Sequence, residues 1–319
     1  MSLPKGWAAR LRLPLICAPM FHVSTPALVM AARRSGILGA LPRANAPDYD
    51  VFDRWLASIE EDAGGEAAAL PPVAINLSTR LEPPEMERNL ALCRRRGVEL
   101  IISATGNPTA LIERARGHGL TVFSDAVNLR FADKAIAAGA HGVIAIGSGG
   151  GGHAGAINHL TLVSAIRRNF DGAVVMAGAV GNGFAVRAAE VLGADMAYMG
   201  TRFIASEEAG APQVYKELLV ESGVDDVLYT PAINGVPASW LKSSLRLQGL
   251  DPAELPLRPP GVRGTSHLPP RVVPWSNLWS AGQGVELIES IEPLARIVDT
   301  IEQEYARACD VPPFGRAGA

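Results

Sequence analysis

The sequence predicts an α/β fold, a (β/α)8 TIM barrel with a smaller inserted cap of helices and loops after strand eight. Two observations support this prediction. Eight short apolar runs alternate with segments of helical periodicity between residues 13 and 201. The runs are continuously apolar, as expected of parallel strands that are covered on both faces. Eight such units favour a closed barrel over an open doubly wound sheet.

Each repeating unit consists of an apolar run, a short turn and a helical segment that often ends at glycine. The first helix begins at residues 24–26 (Ser-Thr-Pro), which offer a hydroxyl N-cap and a proline in the first turn, and it stops near Gly36. The predicted strands are residues 13–18, 37–41, 73–77, 99–103, 120–124, 142–146, 173–177 and 195–199. The other predicted barrel helices are residues 48–61, 84–96, 108–116, 129–138, 158–170 and 183–192.

The sequence changes in character after the eighth strand. Residues 207–250 are predicted to be helical with a break at 230–237, whereas residues 251–274 are rich in proline and arginine and show little periodicity. We interpret 207–274 as a cap or lid inserted on a barrel formed by residues 1–206.

An amphipathic pattern returns near the C-terminus. Residues 283–308 are predicted to form one helix that packs back on the barrel as its last helix. Residues 275–319 therefore form a third segment, which consists of this helix and a loosely held tail from Cys309.

Composition excludes several classes of function. The chain has 319 residues, 48% hydrophobic and 19% charged, and a net charge of −3 without a long basic run, which argues against nucleic acid as a partner. Three cysteines without metal-type spacing predict reduced thiols and no metal site. The apolar runs are too short to span a bilayer, and the N-terminus lacks a signal-peptide core. We therefore expect a cytoplasmic protein, monomeric or homodimeric, without a membrane partner.

A glycine-rich turn at residues 147–155 (GSGGGGHAG) is the most distinctive stretch of the sequence. It follows the predicted sixth strand and precedes a predicted helix. Glycine lets backbone N–H groups approach a ligand because no Cβ intervenes, and the imidazole of His153 titrates near neutral pH. The turn is thus either a ligand cradle with a catalytic histidine or a flexible surface loop.

The carboxyl ends of the strands form the active face of a TIM barrel. Loops after strands seven and eight of such barrels often bind phosphate, and here both are short and glycine-rich, with Gly178, Gly200 and the hydroxyl of Thr201. A large phosphorylated cofactor such as FMN suits this rim, its ring lying over the strand ends. A resident dinucleotide is disfavoured, because no Gly-x-Gly-x-x-Gly opens the first unit.

Six short motifs, taken in this order on this barrel, resemble the nitronate monooxygenases (formerly 2-nitropropane dioxygenases) and their relatives, the FMN-dependent enoyl-ACP reductases. The resemblance extends from Leu13 to about Glu286. The motifs are residues 14–20 (PLICAPM), 75–77 (INL), 151–155 (GGHAG), 177–180 (AGAV), 199–203 (MGTRF) and 279–284 (WSAGQG).

The resemblance implies a non-covalent FMN and the oxidation of alkyl nitronates with O2 to a carbonyl compound and nitrite. His153 matches the family's active-site histidine, which would bind the nitronate and remove the α-proton of a neutral nitroalkane. His22 is a second candidate substrate contact. The residues expected to bind FMN are Asn76, Gly151 and Gly152 at the ring, Gly178, Ala179, Gly200 and Thr201 at the phosphate, and Ala18, Pro19 and Met20 beside them.

The sequence departs from the family pattern at four positions. Ile146 replaces a frequent glutamine, and Gly149 replaces an acidic residue. Ala179 replaces the second glycine of a family turn, for which we expect a negative φ because a β-carbon disfavours the left-handed region. Asp125 lies near the strand ends, and we expect its carboxylate to point away from the cofactor, since it would repel a phosphate.

Three other functions remain open at this point. An enoyl-thioester reductase on the same scaffold would use NAD(P)H and would need a channel for an acyl chain. A flavin-binding protein without turnover would keep its cofactor and have no activity to lose. A barrel that binds a sugar phosphate would purify colourless.

Overall fold

The computed structural model describes residues 2–262 and 264–312. Eight parallel strands form a closed barrel, which confirms the predicted TIM barrel. Pairing of Tyr198 on the last strand with Ile16 on the first closes it. Each strand lies within two residues of its predicted bounds. The barrel strands are β1 (Leu15–Cys17), β2 (Leu38–Pro42), β3 (Val73–Ser78), β4 (Leu100–Ala104), β5 (Thr121–Ala126), β6 (Gly142–Ile146), β8 (Ala173–Ala177) and β9 (Met196–Met199), while β7 (Gly152–His153) lies outside the barrel.

Helices follow the barrel strands and cover the outer face of the barrel. They are α1 (Pro26–Arg34), α2 (Tyr49–Ala63), α3 (Pro83–Arg95), α4 (Thr109–Gly117), α5 (Leu129–Ala137), α6 (His159–Arg168), α7 (Gly183–Val191) and the short α8 (Thr201–Ile204). Side-chain N-caps fix several starts, because Thr25, Asp48 and Asn182 each accept an N–H from the first turn of the helix that follows. The predicted cap at residues 24–26 is therefore confirmed as Thr25.

Side chains at alternate positions of the strands point into the barrel, where they fill its interior and line its upper opening. Phe123, Ile144 and Met196 point inward and belong to a buried core that Trp7 closes from below. Residues two positions later on the same strands share the inward face. This alternation brings Asp125, Ile146 and Tyr198 to the upper end of the barrel interior.

The segment after the barrel contains strands that the sequence pattern did not predict. Helix α9 (Gln213–Glu221) is followed by strands β10 (Val227–Thr230) and β11 (Ala238–Leu241) and then by α10 (Lys242–Leu247). The expectation of helix on both sides of the 230–237 break was therefore wrong for the residues next to it. Strand β11 pairs antiparallel with both β10 and β7. The glycine-rich turn, through β7, thus supplies a pairing partner for β11. The local sequence pattern of β11 does not indicate this distant partner.

The last predicted helix begins later than expected. A 3₁₀ turn covers Gln283–Leu287, and α11 (Leu294–Cys309) begins only after Pro293. Proline disfavours a helical conformation in the residue before it, so Pro293 sets this start. Helix α11 packs against α7, as the predicted return to the barrel requires. Residues 313–319 of the predicted tail lie outside the described residues.

Neither long apolar helices nor a metal cluster was found in the part of the chain that the structure describes. None of the helices there combines the length and apolar character that crossing a membrane requires. No group of three or more His, Cys, Asp or Glu side chains in residues 2–262 and 264–312 is placed to hold a metal ion. Cys17, Cys93 and Cys309 are free thiols, and burial raises the pKa of Cys93 to about 12.

Candidate active site

A cavity of about 460 Å³ opens at the carboxyl ends of the barrel strands. Its volume lies in the usual range for small-molecule and cofactor sites, roughly 300–1,000 Å³. Eleven of the twelve predicted site residues line it, whereas His22 does not. Those that line it are Ala18, Pro19, Met20, Asn76, Gly151, Gly152, His153, Gly178, Ala179, Gly200 and Thr201.

His22 lies beside the cavity on the loop after β1. Its ring packs on Phe21, with ring centroids 3.9 Å apart, and its Nε2 is 3.4 Å from the hydroxyl of Ser276. Phe21, rather than His22, lines the cavity. The role of His22 as a substrate contact stays a prediction.

Backbone contacts lock the glycine-rich turn against two other segments. The carbonyl of Gly149 accepts N–H groups from Ala179 (3.3 Å) and Gln283 (2.8 Å). The N–H of Gly282 donates to the hydroxyl of Thr201 at 2.9 Å. A Cβ on Gly151 would lie 2.9 Å from the nitrogen of Gly282. Gly151 is therefore required by the packing of the protein itself, whether or not a ligand is present.

Gly200 differs from Gly151 because the protein leaves space around it. A Cβ there would lie 3.5 Å from the sulfur of Met20 and 3.6 Å from the Cβ of Ala18, which are ordinary contact distances. Its φ of −114° is accessible to any residue. Since Gly200 lines the cavity, a side chain there would occupy space that a ligand could use.

Ala179 adopts a left-handed backbone conformation with φ of +55°, so the expected negative φ was wrong. Its N–H is held by Gly149, and Gly178 before it also has a positive φ. The tight closure of the loop against the glycine-rich turn thus overrides the local preference of alanine. This conformation costs about 1–2 kcal/mol for a residue with a β-carbon.

We predict that Ala179→Gly leaves the protein equally stable or stabilises it by up to about 1.6 kcal/mol. Glycine removes the left-handed penalty, while its more flexible unfolded chain offsets about 0.4–1 kcal/mol of the gain. The free energy of unfolding in urea is the measurement. A measurable loss of stability would contradict the assigned strain.

Asp125 lines the cavity, so the expectation that it points away from the cofactor site was wrong. Alternation along β5 puts it on the same inward face as Phe123. Its Oδ1 is buried without a hydrogen-bond partner among the described residues. Burial raises the pKa of Asp125 to about 7. The repulsion that we expected therefore applies only to its ionised form.

His153 is held at the cavity by the segment that follows the barrel. It lies on β7 and pairs with Ala238 of β11, so the glycine-rich turn is not a free loop at this point. Its Nε2 is 3.3 Å from the side-chain nitrogen of Asn234, and its ring meets Trp275 edge-on with centroids 5.3 Å apart. Burial lowers the pKa of His153. A neutral imidazole that accepts from Asn234 at Nε2 carries its proton on Nδ1.

Several cavity residues were not predicted from the sequence. Tyr198 lines the cavity floor, and strand alternation from Met196 could have indicated it. Trp275 forms a wall beside His153 and packs on Trp240 with centroids 4.4 Å apart. Its φ of +71° is rare for a bulky residue, and no periodic pattern marks the irregular segment that contains it.

Two stacked rings connect the last segment to the cavity wall. Tyr215 and Trp279 lie nearly parallel, with centroids 5.1 Å apart, and both line the cavity. The hydroxyl of Tyr215 donates to the carbonyl of Ser280. The motif at residues 279–284 is thereby fixed against α9 and the glycine-rich turn.

Comparison with known proteins identifies the family. The sequence model of the nitronate monooxygenase family matches residues 60–257. The nitronate monooxygenase of Paraburkholderia phytofirmans is 27% identical over 285 residues, which cover 75% of this chain and 76% of that protein. Two solved structures are similar at 25% identity, FabK from Thermotoga maritima (TM-score 0.75, 95% of both chains) and nitroalkane oxidase from Streptomyces ansochromogenes (TM-score 0.74, 94% and 97%). The chain belongs to the nitronate monooxygenase family of flavin-dependent oxidoreductases.

Proposed function

We propose that this protein binds FMN and oxidises alkyl nitronates with O2 to a carbonyl compound and nitrite, with His153 at the active site. The observation that supports this most strongly is the position of His153. It lies on a strand fixed by β11, at the edge of a cavity whose rim consists of glycine turns. As part of the proposal, residues 207–274 act as a cap on the barrel of residues 1–206, and residues 275–319 form a third segment, a helix that returns to the barrel and a tail.

The residues present fit a phosphorylated flavin. Gly178, Ala179, Gly200 and Thr201 form the rim at the loops after β8 and β9. An anion there would meet backbone amides other than that of Ala179, which already donates to Gly149. Gly151 and Gly152 bring bare backbone to the cavity, and Asn76 adds an amide at the end of β3. Ala18, Pro19 and Met20 form an apolar wall. Open space at Gly200 and an unpartnered oxygen on Asp125 both suit a ligand that fills the cavity and carries hydrogen-bonding groups.

The side chains of this protein supply orientation and proton transfer, while bound flavin supplies the redox chemistry. In the tautomer that carries its proton on Nδ1, His153 donates a hydrogen bond to a bound nitronate anion. Removal of the α-proton of a neutral nitroalkane requires the other neutral tautomer, in which Nε2 carries the proton and Nδ1 accepts. Trp275 limits the space beside the ring of His153. Because no lysine or arginine is among the described residues that line the cavity, hydrogen bonds must stabilise the anionic substrate.

The lowered pKa of His153 predicts the pH dependence of nitroalkane oxidation. Only the neutral imidazole accepts a proton, so kcat/KM falls as the pH drops through the pKa of His153. Because burial lowers that pKa below its usual 6.5, the acid limb should lie below pH 6.5. A kcat/KM profile between pH 5 and 8 with neutral nitroethane measures it. An acid limb centred above pH 6.5 would contradict this assignment.

Oxygen uptake tests the proposed reaction directly. Purified protein with added FMN should consume O2 and release nitrite with propionate 3-nitronate or ethylnitronate. A matched anaerobic experiment compares bleaching of the flavin by nitronate and by NADH. Bleaching by nitronate alone supports the proposal, whereas bleaching by NADH, with no oxygen uptake on nitronates, supports an enoyl-thioester reductase instead.

A further inference from the structure

The inference concerns the polar floor of the cavity and rests on the proposed function. The inward residues at the upper ends of the strands are mostly small or apolar, such as Ala177 and Ile146. Asn76, Asp125 and Tyr198 are the exceptions. Of these, Asp125 is the most costly to bury, because Oδ1 has no hydrogen-bond partner among the described residues.

The surroundings of Asp125 favour its neutral form. The other ionisable side chains among the described cavity residues are His153, Tyr198 and Tyr215, and none is lysine or arginine. Tyr198 interacts electrostatically with Asp125, and burial raises the pKa values of Tyr198 and Tyr215, so both stay neutral. His153 is also neutral, because burial lowers its pKa. Among the described cavity residues, no opposite charge therefore stabilises a carboxylate at this position.

A neutral carboxylic acid has one O–H donor, which a ligand acceptor can satisfy. We propose that protonated Asp125 recognises the flavin by donating a hydrogen bond to an acceptor atom at the polar edge of its ring, with Tyr198 beside it as a second donor. Loss of that proton removes the donor and places a negative charge beside the ring. Flavin binding should then weaken as the pH rises through the pKa of Asp125, which burial places at about 7.

Three variants separate recognition from a structural role. Asp125→Asn keeps a donor at the same position without a charge, and Asp125→Leu keeps the shape without a donor. Ser124→Ala is the matched control, since Ser124 is the preceding residue on β5 and its hydroxyl instead bonds Ser103, 2.9 Å away. The readouts are the Kd for FMN by fluorescence titration and the thermal stability of the flavin-free protein.

At pH 6.5 we expect the Kd of Asp125→Asn for FMN to lie within about threefold of the wild-type value. The Kd of Asp125→Leu should be about tenfold higher than that of wild type, because one hydrogen bond is lost. At pH 8.5 the Kd of wild type for FMN should be about tenfold higher than that of Asp125→Asn. Because both proteins are compared at the same pH, the titration of the FMN phosphate affects both Kd values equally. Flavin-free Asp125→Leu should be more stable than wild type, because it removes a carboxyl oxygen that is buried without a partner among the described residues. Ser124→Ala should lower stability and leave the Kd unchanged.

Two results would overturn the inference while the proposed function stands. In one, wild type binds FMN and Asp125→Leu binds it equally well at both pH values. In the other, Asp125→Leu destabilises the flavin-free protein, which would show that Asp125 serves the fold. A wild-type protein that binds no flavin would instead overturn the proposed function itself.

Discussion

Replacement of His153 by alanine should lower kcat/KM for neutral nitroalkanes by about 10²–10⁴-fold, the usual contribution of a positioned general base. Oxidation of preformed nitronates should fall much less, by about tenfold, because the α-proton is already absent and only one hydrogen bond to the anion is lost. The ratio of the two losses is the informative quantity. Steady-state oxygen uptake with nitroethane and with ethylnitronate, measured on the same preparation, gives it.

A second histidine provides the control for this prediction. His118 lies at the end of α4, where its Nε2 contacts Glu87 at 2.6 Å, and it is not among the cavity residues. His118→Ala should leave both activities unchanged. Equal losses for nitroalkane and nitronate in His153→Ala would show that His153 does not remove the proton. Unchanged nitroalkane activity in His153→Ala would show that His153 is not part of the active site.

Gly200→Val should weaken FMN binding by about 10–100-fold, since overpacking of a filled site typically costs about 1–3 kcal/mol. The protein itself has space for a Cβ at this position, and valine can adopt its φ of −114°. The added methyl groups would occupy the cavity rim where we place the phosphate. Titration of flavin-free protein with FMN measures the effect, and Gly200→Ala should give an intermediate Kd.

Gly183→Ala is the matched control, because it introduces a Cβ where the protein has no space. That Cβ would lie 2.1 Å from the carbonyl oxygen of Ile301 and 2.3 Å from the nitrogen of Tyr305, so α11 must shift away from α7. It should lower thermal stability without changing the Kd of the folded fraction. Gly200→Val should show the reverse pattern. A stability loss in Gly200→Val with an unchanged Kd would contradict the placement of the cofactor.

The barrel was predictable because its signals are local and repeated. Continuous apolar runs mark β1 to β6, β8 and β9, and capping residues such as Thr25 mark helix starts. The rim was predictable for the same reason, since glycines and one histidine follow directly after identified strands. Because TIM barrels place their active face at the carboxyl ends of the strands, these residues could be predicted to lie on the same rim.

Features that depend on distant contacts were not predictable. Strand β11 forms because β7 offers it a partner far away in the sequence, and its pattern alone resembles a helix. Ala179 takes a positive φ because its N–H reaches Gly149 across the loop. Trp275 reaches the cavity from an irregular segment that no period describes. The orientation of Asp125 was predicted wrongly because its side chain was assumed to be ionised. Burial raises its pKa to about 7, and this depends on contacts that the sequence does not show.

The most direct test of the central claim is the absorbance spectrum of the protein after addition of FMN and removal of the excess. We predict the spectrum of one bound flavin per protein chain, and denaturation should release this flavin into solution. Riboflavin, which lacks the phosphate, should bind at least about tenfold more weakly than FMN. Colourless protein that retains no FMN would contradict the account, and so would riboflavin binding as tight as that of FMN.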